Sequence, residues 1–178
     1  AYTMIGAVQK NVGSVNEDFS FTNDIITNRI ITVTKSGNNI SDYNDLSGKK
    51  LAVVTDIAKA ALDKNATIKN SNKNTLYPTI EDALSALDNG SVDAVITDEF
   101  NFSPLENAEK YQVLNGELDK ISYAFMFKKG DWVVENWNEA IYELKSPDYN
   151  DKDEFTPMVE KYFGYNASSF DYVPSKTK

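Results

Sequence analysis

The sequence predicts an α/β fold with a mostly parallel sheet, and two segments carry that prediction. In "DLSGKKLAVVTD", residues 45–56, a turn at Ser47-Gly48 leads into an apolar strand, Lys50 to Val54. In "TIEDALSALDNGSVDAVITD", residues 79–98, a helix runs directly into a second apolar strand, Val92 to Thr97. Strand, helix and strand with short joints make a βαβ unit, whose sheet is covered on both faces.

The remaining elements follow in order. "TMIGAV" (3–8) and "RIITVTK" (29–35) read as short strands around a polar stretch containing Phe19 and Phe21. A helix is expected from about Ile57 to Lys64, with Thr55 or Asp56 as its N-cap. "KNATIKNSNKN" (64–74) has no apolar period and reads as a surface excursion. The next helix is sharply marked: Thr79 caps it, Ile80, Ala83, Leu84 and Leu87 share a face, and Gly90 sits just past its end. After Pro104 comes an apolar strand over 121–127, then a helix capped by Asp131 that aligns Val134, Trp137, Ile141 and Leu144. Trp132 is expected to be partly exposed. A last helix spans Thr156 to Phe163, with Pro157 at its first turn and Gly164 at its end.

Composition removes several kinds of chemistry. The 178 residues carry 27 acidic and 18 basic side chains, a net charge of −9, which repels nucleic acid and offers anionic lipid no polybasic patch. There is no cysteine and no histidine, so thiol chemistry, imidazole bases and the usual zinc ligand sets are excluded. An enzyme would have to work with carboxylates, lysine or tyrosine alone. The expectation is a non-enzyme without a cofactor. The opening "AYTMIGAVQK" does not have the basic-then-apolar pattern of a signal peptide.

Five stretches in series carry a resemblance: "MIGAVQKNVGSVNEDFSFTN", "DLSGKKLAVVTD", "TIEDALSALDNGSVDAVITD", "SYAFMFKKGDWVVENWNEAIYELK" and "VEKYFG". Together they resemble the extracytoplasmic solute-binding proteins of polar amino-acid ABC importers, of the periplasmic-binding-protein type 2 fold. The resemblance implies two lobes, each with a mostly parallel sheet flanked by helices, closing on a small solute in the cleft between them. Residues 1–34 would hold the remainder of the first lobe and the first hinge crossing. Residues 35–120 would form the second lobe, and residues 121–178 the return crossing and C-terminal helices of the first. The family's opening strand–helix–strand–helix has no counterpart, so the first lobe is expected to be incomplete. An uncovered sheet edge there predicts self-association or domain swapping.

The resemblance also implies the site. Asp98 aligns with the carboxylate that holds a ligand ammonium, and it stands at the carboxyl end of a parallel strand, where open α/β sheets bind ligands. Read from pattern alone, Asp98 is equally a solvated strand end or the cap of the next turn. Glu99, pointing the other way, is expected to be exposed. The family's "GTT" turn is replaced by Asp56-Ile57-Ala58, so Asp56 and Thr55 become secondary contacts or helix caps. The family's carboxylate-binding arginine falls near Gly13-Ser14, leaving Ser14, like Thr22, as a polar contact. One of Phe19 and Phe21 is expected in the core and the other on the cleft wall.

The implied function is binding of a small polar solute, an amino acid or an amine, for delivery to an ABC transporter permease outside the cytoplasm, secreted or lipid-anchored. Three alternatives stand beside it: an extracytoplasmic sensory input domain of a membrane receptor, a non-binding scaffold, and a carboxylate-dependent enzyme on the same fold. The acidic run "DYNDKDE" (148–154) lacks the glycine and terminal glutamate of a calcium loop and reads as a solvated loop.

Overall fold

The computed structural model describes residues 4–10, 15–148 and 152–163. In chain order the elements begin β1 (Ile5–Gln9), α1 (Val15–Asp18), β2 (Phe19–Phe21), β3 (Ile26–Lys35), β4 (Lys50–Val54), α2 (Asp56–Lys64), α3 (Ala66–Ser71) and β5 (Lys73–Tyr77). They continue α4 (Ile80–Asp88), β6 (Ala94–Asp98), α5 (Glu99–Phe102), β7 (Tyr111–Val113), β8 (Asp119–Lys128), α6 (Val133–Lys145) and α7 (Phe155–Phe163). The chain divides into two compact units, Ala1–Asn28 with Ile121–Lys178, and Arg29–Lys120. Strands β3 and β8 each begin in one unit and end in the other.

In the Arg29–Lys120 unit the strand order is β3-β6-β4-β5, with β7 also on β3. Strand β4 runs parallel to both its neighbours, whereas β3 is antiparallel to β6. The βαβ unit expected from the sequence is β4, α4 and β6, with β5 inserted beside it. Thr79 starts α4 by accepting the Asp82 N–H at 3.1 Å, and Gly90 follows its end at φ +78°. A side chain is strained at that angle, so glycine belongs there. The face of α4 carrying Ile80, Ala83, Leu84 and Leu87 packs on Ile31, Val33, Ala52, Val54 and Val95 of the sheet. Burying one such leucine contributes about 2 kcal/mol. Helix α2 lies against β4 and β6 and turns Ala58, Ala61 and Leu62 inward.

The expected surface excursion at 64–74 is instead helix α3 and the start of strand β5. Asn65 caps α3 by accepting the Ile68 N–H at 3.2 Å. Asn72 then accepts the Lys49 N–H at 2.8 Å, and the Lys73 N–H donates to the Lys49 carbonyl at 3.2 Å, which ties the segment to β4. The backbone pairing of an end strand needs no apolar side chains, which is why periodicity did not reveal β5.

In the other unit, β1 and β2 pair antiparallel with β8. Thr22 is buried: its N–H donates to the Phe125 carbonyl at 3.0 Å, and its Oγ1 accepts the Phe125 N–H at 3.1 Å. Helix α6 presents Val134, Trp137 and Ile141, with Trp137 edge-on to Phe125 at 5.0 Å. Trp132, at its start, is 63% exposed. At the far end of α6 the Lys145 side chain is buried, its Nζ donating to the Asp24 carbonyl at 3.0 Å and lying 4.7 Å from the Phe155 ring centre. One lysine thereby joins α6, the turn before β3 and the start of α7.

Candidate functional site

Two parallel strands end side by side. The register Val53↔Ile96, continued two residues, sets Thr55 level with Asp98. Four of the residues that the sequence singled out, Thr55, Asp56, Asp98 and Glu99, therefore meet at the carboxyl ends of β4 and β6.

Thr55 has φ +74° and ψ 149°, a conformation that β-branched residues strongly avoid. From there its Oγ1 accepts the Ala58 N–H at 3.3 Å, so Thr55 rather than Asp56 caps α2. Asp56 occupies the first helical position and is exposed, where a carboxylate favours the positive end of the helix.

Asp98 is 1% exposed and pairs across from Ile30 of β3. Its carboxylate caps the short helix α5, accepting the Asn101 N–H at 3.3 Å and the Asn101 side-chain amide at 2.7 Å. Strand end and cap, the two pattern readings of this residue, both hold in one side chain, although the solvation does not.

Glu99 departs from expectation. It is buried, and both its carboxylate oxygens bind Arg29, at 2.6 Å from Nη2 and 3.0 Å from Nε. The reason is tertiary. Arg29 is the single arginine of the chain and stands on β3 next to Ile30, so it reaches Glu99 across the strand pair. A buried carboxylate keeps its charge only with such a partner. The sequence signal for this pair was the lone arginine itself, but nothing local to residue 99 points to residue 29.

Phe19 and Phe21 are half-buried on β2 of the other unit, and Ser14 lies outside the described residues. Among the described residues no cluster of acidic side chains is arranged to hold a metal ion.

Solved structures share this fold. The second substrate-binding domain of a putative amino-acid ABC transporter from Streptococcus pneumoniae is 26% identical and aligns at a TM-score of 0.64 over 85% of this chain and 68% of its own. The fold is that of the type 2 periplasmic binding proteins. The substrate-binding protein of an amino-acid ABC transporter aligns at 0.56 with 23% identity, over 91% of this chain and 71% of its own. The GluR0 ligand-binding core from Nostoc punctiforme, solved with L-glutamate, aligns at 0.57 with 22% identity, over 90% and 72%. A protein solved bound to L-arginine aligns at 0.56 with 22% identity, over 90% of this chain and 65% of its own. The chain thus spans about two thirds of the length of these type 2 binding proteins and is shorter than their full fold. They are binding proteins and ligand-binding cores rather than enzymes. No protein-family model and no curated protein matches the sequence.

Proposed function

We propose that this chain belongs to an extracytoplasmic receptor that binds a small polar solute bearing an amine or ammonium group and delivers it to an ABC importer. The observation that carries the reading is Asp98, a carboxylate at the end of a parallel strand, level with the strained Thr55 turn. Open α/β sheets bind ligands at that end of their strands. Asp56 adds negative charge at the same end, which favours a cation over a bare carboxylate. Thr55 is a secondary contact in this reading, and Phe19 and Ser14 are lesser ones. Recognition needs no cofactor and no covalent step. The partners are the solute and a transporter permease, with self-association of this chain. The likeness to the GluR0 ligand-binding core favours a second reading, a sensory input domain that binds the same class of solute.

The test is thermal stabilisation by a panel of amino acids, diamines and neutral polyols. An amine-bearing member is expected to raise the melting temperature of the native chain but not of Asp98→Asn, which keeps a capping oxygen at residue 98. Equal stabilisation of both proteins would remove Asp98 from the site.

A further inference from the structure

A groove away from the strand ends leads to an interaction surface. Strand β5 stands at the end of its sheet order and, among the described residues, pairs only with β4. An end strand presents unpaired backbone N–H and C=O groups along its outer side. Beside it lies a groove of about 290 Å³ lined by Val53, Leu62 and Leu76 on its apolar side. Leu76 pairs with Val53 in register, so both project from the same face of the sheet, yet Leu76 is 61% exposed. A side chain of this size left open next to an apolar groove lacks the cover that a leucine normally has.

The polar rim of the groove is positive. Asp63 is bound by Lys59 and Lys69, each at 2.8 Å, and their hydrogen bonds hold its carboxyl down to about 2. Two ammonium groups around one carboxylate leave one positive charge over at the groove. This surplus positive charge stands on a chain of net charge −9.

We infer that the open edge of β5 docks an extended, acidic segment of a partner protein, which adds a strand to the sheet and seats an apolar side chain between Leu62 and Leu76. Backbone pairing supplies the affinity, and the lysine rim selects for acidic residues flanking the apolar one. A second copy of the chain is the less suitable occupant, because its own β5, Lys73-Asn74-Thr75-Leu76-Tyr77, brings no acidic residue to the lysine rim.

The experiment uses the whole chain and a short capped peptide alternating Val and Glu, with a Val and Lys peptide as control. Calorimetric titration is expected to show binding of the acidic peptide alone, weakened by salt, and hydrogen exchange is expected to slow at Asn74 to Tyr77. Leu76→Lys and Lys69→Glu should each weaken the acidic peptide about tenfold, with the fold retained because both side chains are exposed. Solute binding that depends on Asp98 should be unaffected by either change, which keeps the two proposals separable. Equal binding of both peptides, or unaltered exchange along β5, would overturn the inference. A concentration-dependent dimer dissolved by Leu76→Lys would also overturn it, in favour of the second copy.

Discussion

Raising the pH is expected to stabilise the unit that contains Lys145. Burial of this ammonium lowers its pKa from 10.5 to about 8, against the opposing pull of Asp24 and Asp153. The folded protein therefore releases the proton near pH 8, while the unfolded chain keeps it to about 10.5. Between those values the unfolded state binds more protons, so stability rises with pH; below about 8 both states are charged and the full penalty applies. Between pH 7 and pH 9.5 the linkage amounts to about 2 kcal/mol. Screening by nearby solvent reduces it to roughly 1–2 kcal/mol. Replacing Lys145 with Met retains most of the volume and removes the charge, so the variant should lack this rise. Both tryptophans, Trp132 and Trp137, lie in the same unit as Lys145, so urea unfolding followed by tryptophan fluorescence reports on it directly. The quantity to compare is the change in unfolding free energy from pH 7 to pH 9.5 in the two proteins. Parallel pH dependence in native protein and Lys145→Met would refute the argument, whatever their absolute stabilities.

Glu99→Gln leaves Arg29 facing an uncharged amide, and the Arg29–Lys120 unit should lose roughly 1–3 kcal/mol in denaturant titration, less than for a fully buried pair because Arg29 is one third exposed. An unchanged midpoint would mean that the pair contributes nothing net. Thr55→Gly relieves a positive φ while giving up one capping bond, and a gain of roughly 0.5–1 kcal/mol is expected from the balance. A lower melting temperature would show that the cap outweighs the strain. Leu87→Ala empties a position that is 2% exposed under α4 and should cost about 2–5 kcal/mol in chemical denaturation; a loss below about 1 would mean that the core refills the space.

Local chemistry was legible wherever one segment contains its own instructions. Helix α4 is such a case, since the Thr79 cap, the apolar face from Ile80 to Leu87 and the terminating Gly90 all lie within a dozen residues and act through near-neighbour geometry. The bounds of β4 were equally plain from its apolar run. The α/β class, and the resemblance to solute-binding proteins that the solved structures share, followed from several such segments in order. Strands that depend on a partner were read less well. β3 begins three residues earlier and β8 two residues earlier than their apolar runs, because hydrogen bonds to neighbouring strands extend them.

Glu99 and β5 mark the limit from the other side. Side-chain alternation placed Glu99 opposite Asp98, and from that alone an acid facing solvent is the reasonable expectation. Its burial depends on an arginine 70 residues earlier, brought alongside by the β3–β6 pairing. Likewise the polar sequence around Lys73 became a strand because β4 offered it backbone partners. The chain's own pattern selected the fold class, the main helix and the strand end bearing Asp98, since these rest on spacing over a few residues. Which charges are buried, which strand ends the sheet among the described residues, and that Thr55 and Asp98 lie level were decided by contacts between distant segments, and no local spacing encodes those.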